Sequence, residues 1–188
     1  MHDPILFIGV DIGIKRDTSA ISAIYHDYDE NRFKMWGIRI YKPPVNMVTQ
    51  VEPCLLRLLK TQRVALLNYD PYMMATTRQR LVEEGYDSKL NEVNQATEMI
   101  LASNTLHSHC MEDTFDLVDD QELRSHFAHC NAKQTERGWR IVKRDQSLPV
   151  DGVVATAMAL MAATGDEEYN RHPSFTPSMH GRSIEVIP

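Results

Sequence analysis

Three aspartates stand out because each interrupts or borders strongly apolar sequence: Asp11, Asp70 and Asp151. A carboxylate beside core sequence is costly to bury unless a cation compensates its charge. Hard divalent cations such as Mg²⁺ take oxygen ligands and keep water in the remaining positions, so a few carboxylates suffice to bind them. A pair of such ions can activate water and stabilise the leaving oxygen in phosphodiester hydrolysis. The three residues therefore predict a metal centre, if the fold brings them together.

Each aspartate also has a purely structural explanation. Asp11 shares a strand face with Gly9 and Gly13, which leaves room for a metal or phosphate, but the strand could equally end before it. Asp70 follows an apolar run, at the strand end where α/β sheets bind ligands, yet Asp before Pro is also a common turn and helix cap. The helix dipole favours Asp151 in a first helical turn whatever its function.

Alternating and apolar runs predict the elements that must position these side chains. Strands are expected at residues 5–10, 18–28, 32–41, 64–67 and 89–93, with a hairpin at 132–136 and 139–144. A first helix is expected to end at about residue 62, and a second is expected at 72–84, before a Gly85 cap. A third is expected at 95–108, and a fourth from an Asp119–Glu122 capping box through 129. The last is expected from Pro149 to 164.

Short turns join the first three strands, which favours antiparallel pairing, whereas the strand–helix alternation that follows favours parallel strands. The expected fold class is therefore α/β: a mixed sheet of three antiparallel strands and then parallel ones, with helices on both faces. Residues 1–165 form the expected domain. Residues 166–188, polar and without periodicity, are expected to form a flexible C-terminal tail.

Composition narrows the class of protein. The 188 residues, 43% hydrophobic and 24% charged, fit one globular domain, and we expect neither a membrane span nor an export signal. Three cysteines without paired spacing favour a reducing compartment, and we expect the cytoplasm. The net charge of −6 counts mildly against nucleic-acid binding, so any DNA contact must use local basic patches.

Three segments resemble parts of the nuclease domain of phage large terminase subunits, a ribonuclease H-like family. The first hairpin of that fold resembles residues 9–27, GVDIGIKRDTSAISAIYHD, and its second acidic strand resembles residues 68–85, NYDPYMMATTRQRLVEEG. The closing hairpin and alanine-rich helix resemble residues 137–163, RGWRIVKRDQSLPVDGVVATAMALMAA, the most specific of the three.

The resemblance implies that Asp11, Asp70 and Asp151 are catalytic metal ligands for two Mg²⁺ or Mn²⁺ ions. It implies cleavage of double-stranded viral DNA concatemers during genome packaging, in the host cell cytoplasm, with a small terminase subunit and a portal as partners. It also implies an upstream ATPase motor domain. No phosphate-binding G-x-x-x-x-G-K-[ST] motif occurs here, so we expect that motor to be absent from this chain.

Basic residues in two places are candidates for contact with the DNA backbone. Lys15 and Arg16 lie in the turn after Asp11, and a second group lies on the predicted hairpin: Lys133, Arg137, Arg140, Lys143 and Arg144. An ordinary solvated hairpin explains the second group equally well. Asp17 is a candidate accessory acid beside the metals, with a turn role as the alternative.

Other functions stay open at this point. A junction resolvase or transposase-type nuclease would share the fold, and a nucleotide-binding module of the sugar-kinase and actin type also begins with a strand followed by Asp-x-Gly. Histidines and cysteines at 107–110 and 126–130 could hold zinc, although their spacing matches no standard finger.

Overall fold

The computed structural model describes residues 3–13, 17–136 and 138–165. The predicted tail at 166–188 and three predicted DNA contacts, Lys15, Arg16 and Arg137, lie outside the described residues. The strands are β1 Ile5–Ile12, β2 Ser19–Asp27, β3 Arg32–Tyr41, β4 Arg63–Tyr69, β5 Leu90–Glu92, β6 Phe115–Asp116, β7 Cys130–Thr135 and β8 Gly138–Lys143. The helices are α1 Glu52–Thr61, α2 Pro71–Glu83, α3 Glu98–Met111, α4 Gln121–Ala128 and α5 Asp151–Gly165.

Six strands form one mixed sheet in the order β5-β4-β1-β2-β3-β6. Strands β1, β2 and β3 pair antiparallel, whereas β4 is parallel to β1, β5 to β4 and β6 to β3. The predicted mixed sheet is therefore confirmed, with β6 as an additional edge strand that sequence reasoning missed. Strands β7 and β8 form a separate antiparallel hairpin.

Side chains of β1 alternate between the two layers of helices. Leu6, Ile8 and Val10 pack in the core that α1 and α2 cover. Phe7 packs in the other core, which α3, α4 and α5 cover. Because successive strand residues point to opposite faces, Gly9 and Asp11 lie on the same face as Phe7, toward α5.

Helix α5 is buried on nearly every side, since it packs against the sheet, α3 and α4 at once. The sequence predicted one broad apolar face, but small residues on the other sides are also buried. Their size lets the helix approach the sheet closely at Gly9, where a Cβ would lie 2.0 Å from the carbonyl oxygen of Ala155. Asn68 of β4 adds a buried hydrogen bond, donating from Nδ2 to the Met158 carbonyl oxygen at 2.9 Å.

Several predicted element ends differ from the structure. A π-helical turn, Met47–Val51, precedes α1, so Val48 is 59% exposed instead of lying on the buried face. Helix α4 is capped by Asp120, whose Oδ1 accepts from the Leu123 amide at 2.7 Å, and not by Asp119. The last helix begins at Asp151, two residues after Pro149. Gly85 has the predicted left-handed φ, +89°. In the described ranges, every helix is too short or too polar to cross a membrane.

Candidate metal centre

Neighbouring parallel strands bring Asp11 and Asp70 to the same edge of the sheet. Val10 of β1 is paired with Tyr69 of β4, and the two aspartates are the next residues along each strand. Asp11 is still within β1, so the structure does not support the alternative in which the strand ends before it. Asp70 caps α2: its Oδ1 accepts from the Tyr72 amide at 2.9 Å, which fixes the orientation of the carboxylate.

Asp151 enters the same region from the other layer, as the first residue of α5. Only 7% of the residue is exposed. Its Oδ2 accepts a hydrogen bond of 2.5 Å from the hydroxyl of Thr18, the residue just before β2. The carboxylate is therefore held by the backbone of a buried helix and by a side chain at the edge of the sheet.

Asp11 lies close enough to Asp151 and Asp70 for the charges of both to act on its carboxyl group. Burial raises the pKa of Asp11 well above its ordinary value, and the charges of Asp151 and Asp70 raise it further. Burial also raises the pKa of Asp151, while the Thr18 hydrogen bond lowers it. Two of the three predicted ligands are thus costly to ionise in this fold, which is the condition that a bound cation relieves.

An ion pair borders this group of carboxylates. Lys143 of β8 donates from Nζ to Oδ1 of Asp17 at 2.6 Å, and the lysine side chain is only 20% exposed. The charge of Lys143 lowers the pKa values of Asp11 and Asp151, whereas Asp17 raises that of Asp151. Lys143 was predicted as a DNA contact. In the structure it forms an ion pair with Asp17 beside the site.

The donor set fits a hard divalent cation. Among the described residues, the charges that act on Asp11 and Asp151 are those of three other carboxylates or of Lys143, so negative charge is in excess there: Asp11, Asp17, Asp70 and Asp151 against one lysine. In the part of the chain that is described, no group of three or more His, Cys, Asp or Glu side chains is close enough together to hold a metal ion in the present geometry. Mutual repulsion opposes closer approach of bare carboxylates, and a cation would remove that repulsion. Oxygen-only ligands with room for water suit Mg²⁺ or Mn²⁺.

The hairpin β7–β8 presents two different faces. Trp139 and Ile141 lie on the same face as Lys143 and face α3, where their amides donate to Asn104 Oδ1 and Ser103 Oγ. Lys133 and Arg140 are directly paired across the two strands on the opposite face, and both are exposed. Arg144, just after the hairpin, is also exposed. The outward face of the hairpin therefore carries two neighbouring exposed cations, Lys133 and Arg140.

The histidines and cysteines considered for zinc have other contacts. His107 stacks on Trp139 with 5.4 Å between ring centroids, and Nδ1 of His109 lies 2.7 Å from the Thr114 hydroxyl. The thiol of Cys130 donates to the backbone oxygen of His126. Cys130 is the first residue of β7, directly after the predicted helix end at residue 129.

Sequence reasoning missed Thr18 at this site, and it considered His126 only as a possible zinc ligand. Thr18 sits at a strand start with no local signal that its hydroxyl reaches a residue 133 positions away. His126 is buried, and its Nδ1 accepts the amide hydrogen of Gly152 at 2.9 Å. Burial lowers the pKa of His126, although the nearby Asp151 charge opposes that change. The glycine after Asp151 was the available hint, because it leaves space for a close neighbour.

The sheet order, the helices on both faces and the carboxylates at one sheet edge define a ribonuclease H-like domain. No protein-family model matches the sequence, and no curated protein is significantly similar to it in sequence. Solved structures supply the comparison. The large terminase of bacteriophage HK97 is 15% identical, with a TM-score of 0.70 over 86% of this chain and 40% of that one.

Isolated nuclease domains match over most of both chains. The large terminase nuclease of thermophilic phage G20c with bound magnesium is 16% identical, with a TM-score of 0.63, and the match covers 85% of this chain and 82% of that one. The large terminase nuclease domain of bacteriophage SPP1 with bound manganese is 14% identical, with a TM-score of 0.54, covering 82% and 84%. The particular fold is therefore that of phage large terminase nuclease domains, and this chain spans less than half of the HK97 protein.

Proposed function

We propose that this domain is a metal-dependent endonuclease that cleaves double-stranded viral DNA concatemers during genome packaging. The observation that carries the proposal is the position of Asp11: it lies next to Asp70 across two paired strands, and the charges of both Asp151 and Asp70 act on its buried carboxyl group. Magnesium- and manganese-bound terminase nucleases of the same fold support it. We further propose that all three aspartates are metal ligands.

Two Mg²⁺ or Mn²⁺ ions, when bound, would lower the pKa of a water nucleophile and stabilise the departing 3′ oxygen. The chain's own contribution is placement. Asp11 is fixed within a central strand, and the helix cap at Asp70 commits Oδ1 to the Tyr72 amide. Thr18 orients Asp151. Lys143 offsets part of the negative charge until the ions arrive, and no side chain needs to act as a nucleophile.

DNA would lie against the outward face of the hairpin. Lys133, Arg140 and Arg144 are exposed there, which suits contacts to phosphate oxygens. We include Lys15, Arg16 and Arg137 in the proposed contact set because of their place in the sequence. Binding through phosphates alone gives little sequence preference, so the position of the cut would depend on partners.

The match covers 40% of the HK97 large terminase, which supports a further domain in the whole protein. We propose an upstream ATPase motor domain outside this chain, a small terminase subunit that selects the cutting site, and a portal that receives the DNA. The reaction would take place in the host cell cytoplasm.

Plasmid cleavage tests the proposal. Supercoiled plasmid incubated with the protein and Mn²⁺ is expected to become nicked and then linear, and EDTA is expected to stop the reaction. Asp70→Asn and Asp151→Asn should abolish cleavage, whereas Asn at exposed Asp3 should not. ATP binding without cleavage would favour the nucleotide-binding alternative, and strong preference for four-way junctions would favour a resolvase.

A further inference from the structure

We propose that His126 is a positioning residue for Asp151: its imidazole caps the first turn of α5 from the neighbouring helix α4 and so fixes the carboxylate at the metal centre. This inference rests on the proposed function. His126 would touch neither the metal nor DNA. Its role would be a specific hydrogen bond, the one that it accepts from the Gly152 amide.

The helix start lacks a cap of its own. The first amides of an α-helix have no partner within the helix, and a polar side chain just before the helix usually accepts from one of them. In α5 that position is Val150, which has no acceptor in its side chain. Nδ1 of His126 accepts from the Gly152 amide at 2.9 Å instead, although 26 residues separate the two in sequence.

The geometry assigns the tautomer of the ring. Because a backbone amide can only donate, Nδ1 must be the acceptor, and the neutral imidazole carries its hydrogen on Nε2. His126 is 1% exposed, and among the described residues Nε2 has no hydrogen-bond partner. A leucine at this position would leave no unpaired donor buried, so burial alone does not explain a histidine here. The feature that only the imidazole ring supplies is the hydrogen-bond acceptor at Nδ1.

Gly152 allows this contact because it has no side chain. A Cβ at Gly152 would lie 2.9 Å from Nδ1 of His126 and 3.1 Å from Cδ1 of Ile40, tighter than ordinary van der Waals contact. Asp151 is thus held from two directions, by the Thr18 hydroxyl on its carboxylate and by His126 on the amide that follows it. Loss of the second contact would leave the Gly152 amide unpaired and the helix start free to fray, with only the Thr18 hydrogen bond left to hold Asp151.

Three substitutions separate the acceptor from the volume of the side chain. His126→Asn keeps an acceptor close to the position of Nδ1, His126→Gln moves it toward the position of Nε2, and His126→Leu removes it. Isothermal titration calorimetry of the full chain with Mn²⁺ alone measures affinity, and circular dichroism with thermal unfolding in EDTA checks the fold. We expect Leu and Gln to weaken Mn²⁺ binding by about tenfold or more and Asn to restore most of it.

If both proteins fold and the Leu variant binds Mn²⁺ as tightly as the wild type, the role of His126 is overturned but the proposed function is not. If the Leu variant does not fold, the comparison of Asn with Gln decides, and equal affinities would again overturn that role. A wild-type chain that binds no Mn²⁺ would overturn the proposed function, and the role of His126 with it. Hydrogen exchange gives a readout without metal: the Gly152 amide should exchange faster in Leu and Gln than in Asn.

Discussion

The backbone of Ala155 lies directly against Gly9, where a Cβ would be 2.0 Å from the Ala155 carbonyl oxygen and 2.6 Å from the Ala159 nitrogen. Asp11 follows Gly9 by two residues on the same strand face, and Asp151 precedes Ala155 by about one helical turn. The contact between β1 and α5 therefore brings the carboxylates of Asp11 and Asp151 close to each other. The site depends on a glycine that contributes no functional group.

Gly9→Ala is expected to destabilise the protein by about 1–3 kcal/mol or more, because the added methyl group must displace backbone atoms of α5. Displacement of α5 also moves Asp151, so Mn²⁺ affinity should fall. Urea unfolding and titration calorimetry measure the two effects. Gly165→Ala is the matched control, since nothing lies within 4 Å of a Cβ there. Equal stability of the two variants would contradict this explanation.

Asp11→Asn is expected to stabilise the metal-free protein at pH 7, because the buried carboxyl group that it replaces is costly to ionise in the folded state. The folded pKa is raised above the ordinary 3.8, so the ionised carboxylate opposes folding above the folded pKa. The penalty shrinks as the pH falls through that value and is gone below 3.8.

Denaturant unfolding in EDTA across this pH range measures the difference between wild type and variant. It should be largest near neutral pH and vanish in acid, and Asp3→Asn at an exposed position should show no such trend. A variant less stable than wild type at pH 7 would mean that Asp11 is a structural residue.

Lys143→Met is expected to destabilise the metal-free protein by about 1 kcal/mol, because it removes the cation that pairs with Asp17. The remaining carboxylates then repel one another more strongly, so Mn²⁺ should raise the melting temperature more in this variant than in wild type. Differential scanning fluorimetry with and without Mn²⁺ measures both effects. Lys133→Met, on the exposed face of the same hairpin, should change neither. A smaller Mn²⁺ shift in Lys143→Met would show that the lysine assists metal binding directly.

The double variant Lys133→Gln/Arg140→Gln is expected to weaken DNA binding without changing Mn²⁺ affinity. Loss of two phosphate contacts should reduce the slope of log affinity against log salt by about 2. Fluorescence anisotropy with a labelled duplex at several salt concentrations provides the measurement. Lys60→Gln, on helix α1 of the opposite layer, serves as control. An unchanged slope in the double variant would remove the hairpin from the DNA interface.

The part of the fold that could be predicted is the part with strong periodicity. The limits of β3 agree with the sequence prediction, and Asp11 was expected on the same face as Gly9. Strand β6, with only two residues, has too little pattern to detect. Val48 matched a helical stripe, but a π-helical turn rotates it toward solvent.

The candidate site was predicted where the acidic residues border apolar runs, and missed where contacts are distant in sequence. Thr18 and His126 reach the start of α5 across 133 and 26 positions, and no local rule reports such pairs. Lys143 shows the limit of charge patterns. It belongs to a basic hairpin, but strand alternation turns it inward, away from Arg140 and toward Asp17.

The most direct test of the metal centre is a crystal structure with Mn²⁺, located by anomalous scattering. We expect two Mn²⁺ peaks, bound by carboxylate oxygens of Asp11, Asp70 and Asp151. Peaks at other residues, or no peak beside these aspartates at saturating Mn²⁺, would show that they are not the metal ligands.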